Sequence, residues 1–127
     1  MRYPGFAVVT LLACSGAFNF AQAQGAGDPA AGKAVFARCI ICHKVAKDGG
    51  NSLGPNLFGV VGRKSATVPG FEYSGPMKAL NITWTDDKLS QWVAGPTKMV
   101  PGTKMAFPGL TSKGDIRNVV AYLDSLK

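Results

Sequence analysis

The sequence predicts a small all-α domain. Three segments carry helix signals: one begins at Pro29, one follows Thr85, and one near the C-terminus repeats apolar residues at spacings of three and four. The long segment 62–75 shows neither a helical nor a strand period. At 127 residues the chain is one domain at most, with a modest apolar core unless a cofactor enlarges it.

Residues 1–23 have the features of an export signal. Arg2 supplies the positive start, the run from Phe6 to Ala13 is apolar, and Ala21-Gln22-Ala23 matches the small-x-small cleavage pattern. The apolar run is too short to span a bilayer. We therefore expect cleavage after Ala23 and a single mature domain over 24–127.

Export would make the mature chain a soluble periplasmic protein. A lipid anchor at Cys14 is an alternative, because Leu11-Leu12-Ala13-Cys14 resembles a lipoprotein box, but the apolar segment before Cys14 is short and the later cleavage site fits better. In an oxidising compartment, unprotected thiols tend to become disulfides. Cys39 and Cys42, the remaining cysteines, would therefore form a disulfide unless they are bonded to another group.

The chain is basic, with a formal net charge of +7. Removal of residues 1–23 takes away one cation, Arg2, and no acid, so the charge of the mature chain falls to +6. Neither a basic run nor a recognition-helix pattern indicates nucleic acid. Steering towards an acidic protein partner explains the scattered lysines better.

The first helix is expected to begin with Asp28 as its N-cap and Pro29 at its first position. It would continue through Gly32 and Phe36 to the cysteine motif described below. Glycine inside a helix costs about 1 kcal/mol relative to alanine. Gly32 therefore predicts the close approach of another helix.

The segments that follow predict loops. Residues 47–52 are polar and rich in glycine, and Pro55 fixes a φ angle just after them. In a small domain, a long irregular segment such as 62–75 usually either contributes to function or packs around a bound group. Residues 101–109 contain too much proline and glycine to be regular.

Two later helices are better defined. Thr85 caps a helix with two aspartates in its first turn, and Gly95-Pro96 ends it. Its buried stripe is expected to be Leu89, Trp92 and Val93. Thr111 or Ser112 caps the last helix, whose apolar positions are Ile116, Val119, Val120, Leu123 and Leu126.

The centre of the chain is Cys39-x-x-Cys42-His43, the pattern of covalent c-type haem attachment. On one helical turn both sulfurs point the same way, so they can bond to one porphyrin while His43 faces the iron. A dithiol redox pair would need a βαβ context, which the sequence does not show. A structural zinc site would need four ligands. Haem c is favoured, with disulfide and zinc as the alternatives.

The second axial ligand decides the chemistry of such a haem. An open iron face binds small molecules or peroxide, whereas an iron with two strong axial ligands has electron transfer as its main available chemistry. The chain has no histidine besides His43, so methionine is the best remaining donor. Met77, Met99 and Met105 remain after removal of the signal. Met105, in the Pro/Gly loop, is favoured over Met99, which follows Gly95-Pro96 and could be in a short helical turn. For any single methionine, core packing is the usual role.

Several further motifs follow one another in the order and approximate spacing found in class I cytochrome c. They are Asp28-Pro29-Ala30-Ala31-Gly32-Lys33, the Cys39–His43 motif, Gly54-Pro55-Asn56-Leu57, Gly70-Phe71-x-Tyr73-Ser74, Ile82-Thr83-Trp84, Pro101-Gly102-Thr103-Lys104-Met105-x-Phe107 and Ala121-Tyr122-Leu123. The chain resembles the mitochondrial protein and its bacterial periplasmic relatives over nearly the whole mature length. The resemblance implies four or five helices around one covalent haem c, with the N- and C-terminal helices crossing.

The resemblance also implies roles along the iron axis. Met105 would be the distal ligand opposite His43. The Pro55 carbonyl would accept the proton on the other imidazole nitrogen. Thr103 would help to order the methionine loop. Arg63, Tyr73 and Trp84 would hold the haem propionates, and the helices would cross at Gly32, Phe36 and Tyr122.

Two positions depart from the mitochondrial pattern. Trp92 stands where that protein has a tyrosine near the distal methionine, and Met77 stands where it has an asparagine near the haem. Because an indole donates a hydrogen bond but accepts none, the hydrogen bonding around the Met105 sulfur would differ. The reduction potential would be expected to differ accordingly.

By this resemblance the chain is a monomeric electron carrier and not an enzyme, with neither nucleic-acid binding nor stable membrane insertion. Its donors and acceptors would include a quinol–cytochrome c reductase, a periplasmic dehydrogenase, an oxidase or a reaction centre, reached through an exposed haem edge. Acidic partner surfaces would dock on a basic rim made of Arg38, Lys44, Lys98 and Lys104.

Two other functions compete with electron transfer. A small haem peroxidase or gas sensor would need an open distal site. A thiol-disulfide oxidoreductase would use Cys39 and Cys42 without haem.

Overall fold

The computed structural model describes residues 27–127. The predicted export signal over 1–23, including Cys14 and the cleavage site after Ala23, lies outside the described residues. Across residues 27–127 the chain forms five α-helices and one 3₁₀ turn. They are α1 (Pro29–Val35), the 3₁₀ turn (Phe36–Arg38), α2 (Gly75–Leu80), α3 (Asp86–Ala94), α4 (Pro96–Met99) and α5 (Lys113–Asp124).

Strand pairing is almost absent from this part of the chain. Between residues 27 and 127 it is limited to one antiparallel bridge that joins Lys64 to Thr83. The all-α prediction is confirmed. None of the described helices has the length and apolar character that crossing a membrane requires.

The caps of α1, α3 and α5 agree with the sequence. The Asp28 carboxylate accepts a hydrogen bond from the Ala30 N–H at 2.9 Å, and the Thr85 hydroxyl accepts one from the Lys88 N–H at 3.2 Å. Of the two candidate caps for the last helix, Ser112 is the one used: its hydroxyl accepts from the Asp115 N–H. Each cap satisfies one N–H that has no partner within its helix.

Helix α1 is shorter than expected. It ends at Val35 and continues as the 3₁₀ turn up to Arg38, so the cysteine motif follows a tightened helix end instead of an α-helix. Gly95 ends α3 as expected, but Pro96 then starts α4, because proline is well suited to a first helical position.

Helix α2 was not predicted from the sequence. The Ser74 hydroxyl accepts a hydrogen bond from the Met77 N–H at 3.2 Å, a proline lies in the first turn, and Asn81 ends the helix in the left-handed conformation with φ of 49°. These are ordinary start and stop signals. Six residues are too few to show a helical period, so only the caps could have revealed it.

The first and last helices cross, as the resemblance implied. A Cβ on Gly32 would meet the backbone oxygen of Asn118, so only glycine permits this approach. The rings of Phe36 and Tyr122 pack with their centroids 5.3 Å apart. The Asp28 N–H donates to the Asn118 side chain at 2.8 Å. These contacts join the two ends of the described chain.

Candidate functional site

A cavity of about 440 Å³ lies among the helices. This volume falls within the range of about 300–1,000 Å³ that is usual for small-molecule and cofactor sites. Apolar side chains make most of its wall, and the 3₁₀ turn, α2, α3, α5 and the loop 104–107 all contribute to it. Representative members are Phe36, Val60, Met77, Leu89, Val119 and Leu123.

Cys39 and Cys42 both line this cavity and are not joined as a disulfide. One turn of backbone brings them together: the N–H groups of Cys42 and His43 donate to the Cys39 carbonyl at 3.0 Å and 2.9 Å. Burial raises the pKa of the Cys39 thiol, with Arg38 opposing and Cys42 adding to that effect. The thiol is therefore protonated at neutral pH, whereas disulfide exchange requires a thiolate.

His43 is buried in the cavity wall, with 9% of its surface exposed. Burial lowers the pKa of the imidazole; the hydrogen bond to Pro55 opposes this and the charge of Arg63 adds to it. The ring is thus neutral at pH 7. Its Nδ1 lies 2.8 Å from the Pro55 carbonyl oxygen. Since a carbonyl only accepts, Nδ1 carries the proton and Nε2 keeps the lone pair that can bind a metal.

Gly54 packs directly against the imidazole of His43. Its N–H donates to the Cys42 carbonyl at 2.8 Å. A Cβ at this position would lie 2.5 Å from Cε1 of His43, so the ring can occupy its site only because residue 54 is glycine. The sequence contains Gly54 within a recognised motif, but this packing role becomes visible only in three dimensions.

Met105 also lines the cavity, and Met99 does not. Met99 closes α4 and packs, half-buried, against the apolar core. Thr103 lies outside the lining but accepts a hydrogen bond from the Met105 N–H at 3.3 Å. Lys104 binds the Glu72 carbonyl through its Nζ at 3.2 Å, which ties the methionine loop to the segment before α2.

Arg63, Tyr73 and Trp84 all border the cavity. The Arg63 guanidinium donates to the Asn56 carbonyl at 3.0 Å and to the Phe58 carbonyl at 3.2 Å. Because arginine has five N–H donors, it keeps others free. The Tyr73 hydroxyl accepts from the Val68 N–H at 3.1 Å and can still donate its own proton.

The two positions that depart from the mitochondrial pattern are both in the wall. Met77 and Trp92 are buried and line the cavity. The Trp92 ring packs against Trp84 with centroids 5.6 Å apart and an angle of 59° between the rings. Trp92 therefore fills volume beside Trp84 in the cavity wall.

Two asparagines have roles that the sequence did not reveal. The Asn56 side chain donates to the carbonyls of Ala46 and Gly50, at 2.9 Å and 3.0 Å, and accepts from the Phe58 N–H at 2.8 Å. The Asn51 side chain accepts from the Asn56 N–H and donates to the Pro69 carbonyl. The sequence feature that could have indicated these bonds is asparagine within a glycine-rich loop, because its side chain often bonds to nearby backbone groups in turns.

The four cations expected at the rim are not equivalent. Arg38 and Lys104 are exposed and also line the cavity, so they stand at its mouth. Lys44 follows His43 directly and is exposed, and Lys98 is exposed on α4. The structure thus brings two of the four to the edge of the cavity.

The residues in the wall fit a c-type haem. They supply two thiols on one turn, a neutral imidazole with a free Nε2, a methionine thioether and an apolar cavity. Imidazole and thioether are the ligand types that hold haem iron in proteins without an open coordination position.

Comparison with known proteins gives consistent matches. A family model described as cytochrome c matches residues 29–127. Cytochrome c-554 of Methylosinus trichosporium is 50% identical over 114 residues, covering 88% of this chain and 86% of that protein. Cytochrome c2 of Rhodoblastus acidophilus is 44% identical over 102 residues, covering 80% and 95%.

A solved structure, that of cytochrome cH from Methylobacterium extorquens, superposes with a TM-score of 0.74 at 42% identity, covering 78% of this chain and 99% of that one. Proteins of this family bind one covalent haem c and act as electron carriers, not as enzymes. From its sequence match, its helical fold and its cavity, the chain belongs to the class I cytochrome c family.

Proposed function

We propose that the protein carries single electrons on a haem bonded to Cys39 and Cys42, with His43 and Met105 as axial ligands. The observation that carries this proposal is the shared cavity: these four side chains line one apolar space, and Met99 does not. Met77 lines the same space from helix α2, whereas Met105 lies in the Pro/Gly loop, where the resemblance places the distal ligand. The bound haem supplies a one-electron couple at its iron. The protein's own residues set how that iron is held and reached.

His43 and Met105 are prepared for ligation by their neighbours. The Pro55 carbonyl holds the Nδ1 proton of His43, which fixes the ring and leaves Nε2 as the donor atom. The hydrogen bond from the Met105 N–H to Thr103 restrains the loop next to the sulfur. A fixed ligand pair keeps the iron geometry similar in both oxidation states, so little reorganisation accompanies transfer.

Three side chains are proposed to receive the haem propionates. Arg63 keeps N–H donors beyond the two bonded to backbone carbonyls, Tyr73 keeps its hydroxyl proton, and Trp84 has an indole N–H. Charge-assisted hydrogen bonds from such donors lower the free-energy cost of holding carboxylates near an apolar wall. Apolar residues around them exclude water from the iron.

The proposed location is the periplasm, and the proposed domain is residues 24–127 after cleavage of the export signal. The intact mass of protein purified from the periplasmic fraction tests both. We expect the mass of the chain from Gln24 plus one haem that resists extraction by acid and organic solvent. A mass that retains residues 1–23, or a lipid on Cys14, would contradict this part of the proposal.

The proposed partners are redox proteins with acidic docking surfaces, such as a quinol–cytochrome c reductase, a dehydrogenase, an oxidase or a reaction centre. Arg38 and Lys104 support this because they are exposed at the cavity mouth. Replacing Arg38, Lys44, Lys98 and Lys104 by glutamate should slow transfer and flatten its dependence on salt. Unchanged rates and salt dependence would contradict docking at this rim.

The axial ligands are tested by the visible spectrum and by carbon monoxide. The oxidised protein should show the weak sulfur-to-iron band, and Met105→Ala should lose it and bind carbon monoxide rapidly when reduced. The matched control is Met99→Ala, which should keep the band and react slowly. Rapid carbon monoxide binding by the unaltered protein at neutral pH would favour a peroxidase or a gas sensor instead.

A further inference from the structure

A second cavity lies on the outside of the molecule, between the start of α1, the first turns of α3 and one face of α5. Its volume is about 450 Å³, and none of its lining residues belongs to the cavity described above. We refer to it as the acidic groove. The lining residues that matter here are Asp86, Asp87, Arg117, Val120, Ala121 and Asp124.

The charges of the acidic groove are arranged along α5. Arg117 stands at one end and Asp124 at the other, two turns or about 10 Å apart along the helix axis. Asp86 and Asp87 are exposed in the first turn of α3. Asp124 pairs with Lys127 through Oδ1 at 3.1 Å, which leaves Oδ2 available. Three carboxylates thus line this groove in a chain that is basic as a whole.

The start of the described chain meets the groove at its Arg117 end. Gly27 and Pro29 both line the groove. A Cβ on Gly27 would collide with the carbonyl oxygen of Arg117, so the backbone of residue 27 packs directly on α5. The Asp28 N–H donates to the Asn118 side chain at 2.8 Å. These contacts fix the point from which the preceding residues leave α5.

The preceding residues have the right length to follow the groove. Cleavage after Ala23 leaves only Gln24, Gly25 and Ala26 before Gly27. Each extended residue spans at most about 3.3–3.6 Å, so three residues cover about 10 Å. This equals the distance along α5 between the two ends of the groove. Two of the three residues are small, which suits a path over the side chains of α5.

Cleavage also creates the charge that the groove lacks. In the precursor, the nitrogen of residue 24 belongs to a peptide bond and is uncharged, whereas in the mature chain it is an α-amino group that is mostly protonated at neutral pH. Arg117 repels this ammonium group from the near end of the groove, and the carboxylates attract it to the far end.

Other occupants fit the groove less well. Across residues 27–127, no three acidic, histidine or cysteine side chains are grouped so that they could hold a metal ion. A separate basic protein would have to compete with a chain end that is tethered three residues away. Such a short tether gives an effective concentration of the order of millimolar.

Building on the proposed cleavage after Ala23, we propose that residues 24–26 lie in the acidic groove and that the α-amino group of Gln24 pairs with the carboxylates of Asp86, Asp87 and Asp124. The contact joins the start of α1 to α3 and to the end of α5. It forms only in the mature chain, so removal of the signal adds a contact that the precursor cannot make.

The experiment measures the reactivity of the α-amino group in the holoprotein. Trace acetic anhydride acetylates only the unprotonated amine, and mass spectrometry of the N-terminal peptide gives the rate. The same protein unfolded in guanidinium is the reference. All proteins carry Gln24→Ala, because the α-amino nitrogen of an N-terminal glutamine can attack its own side-chain amide, release ammonia and so consume the amine.

The variants separate charge from reach. The groove variants are Asp124→Asn alone and the same change combined with Asp86→Asn and Asp87→Asn. The short variant lacks residues 25–26. The control is Asp48→Asn, which removes an exposed carboxylate outside the groove at a φ of 58°, a conformation that asparagine also adopts.

At neutral pH we expect the folded protein to react about threefold more slowly than the unfolded one, the size of effect that an exposed ion pair has on the protonation of one partner. The cause is that the carboxylates raise the pKa of the amine. Asp124→Asn should reduce the slowing and the triple groove variant should abolish it, whereas Asp48→Asn should preserve it. The short variant should lose it, because its amine would lie beside Arg117.

Equal rates for the folded and unfolded protein would overturn the proposal. A slowing that survives in the triple groove variant would overturn it as well, because steric cover and not charge would then be the cause. Intact mass separates the two levels of inference. If the chain begins at residue 24 and the rates are equal, only the groove contact fails. If it begins elsewhere, the proposed cleavage fails together with the contact.

Discussion

Gly54 lies so close to the imidazole of His43 that an added Cβ would stand 2.5 Å from Cε1. The hydrogen bond from the Gly54 N–H to the Cys42 carbonyl holds this backbone against the cysteine motif, so it cannot move away without losing that bond. The space for the histidine ring is therefore limited by the backbone of residue 54.

Gly54→Ala should destabilise the holoprotein by about 1–3 kcal/mol, the usual effect of forcing an extra methyl group into a packed site. Guanidinium unfolding followed by the haem spectrum measures it. Gly75→Ala is the matched control, because a Cβ there would meet nothing within 4 Å. Equal midpoints for the two variants would mean that the ring is not confined by residue 54.

Gly32→Ala should disrupt the crossing of α1 and α5, because the new methyl group would meet the rigid backbone oxygen of Asn118. We expect a loss of at least about 1–3 kcal/mol in the free energy of unfolding. At Gly114, in the first turn of α5, an added Cβ would lie 3.7 Å from the Ser112 hydroxyl oxygen, an ordinary van der Waals contact, so Gly114→Ala is the control. That control should be neutral or stabilise by up to about 1 kcal/mol, and a similar loss in both would argue against a specific crossing contact.

Asn56→Ala removes three side-chain hydrogen bonds that join Ala46, Gly50 and Phe58. Ala46 and Gly50 are exposed, so water can replace the bonds to their carbonyls, and only the half-buried Phe58 N–H is left without a partner. The expected cost is therefore about 1 kcal/mol. Hydrogen exchange should also show faster exchange of the Phe58 N–H. Gln91→Ala, at an exposed position on α3, should change stability by less than about 0.5 kcal/mol.

Glu72 should contribute a pH-dependent increment of stability. The hydrogen bond and charge of Lys78, and then the charge of Lys104, lower the pKa of the Glu72 carboxyl below its ordinary 4.5. A lowered pKa in the folded state means that the contribution is present above pH 4.5 and is lost as pH falls through the folded value.

Thermal unfolding of the unaltered protein and Glu72→Gln across this range measures the increment. The small difference in Tm should be constant near neutrality and should disappear in acid, where both side chains are uncharged. In a Lys78→Gln background most of the difference should vanish at every pH. If the difference in Tm stayed constant down to pH 3, its cause would not be the charge of the Glu72 carboxylate.

The sequence predicted those helices whose signals are local. Asp28, Thr85 and Ser112 each cap a helix where expected. Helix α2 was missed because six residues cannot display a period. Gly32 alone indicated that another helix packs closely against α1. Only the resemblance identified that helix as the C-terminal one.

The site was predictable only in part for a similar reason. The cysteine motif is contiguous, so its two thiols and His43 could be grouped by spacing. Local pattern favoured Met105 over Met99 but could not decide between them, because the path of residues 101–109 determines which one reaches the cavity. That path depends on long-range packing, such as Gly109 at φ of 106° against the Ala94 carbonyl. The bonds of Asn56 likewise exist only once the loop has closed.

The hydrogen bond between Asp28 and Asn118 spans 90 positions of the sequence. Closing a flexible loop of that length costs about 4 kcal/mol of chain entropy. Only the contacts between α1 and α5 can offset this cost, so α1 gains nothing until the last helix has formed. During synthesis, which proceeds from the N-terminus, α1 would therefore stay unpacked until the last helix has been made. We expect a fragment that stops before Lys113 to remain unfolded, because the partner that closes its first helix is missing.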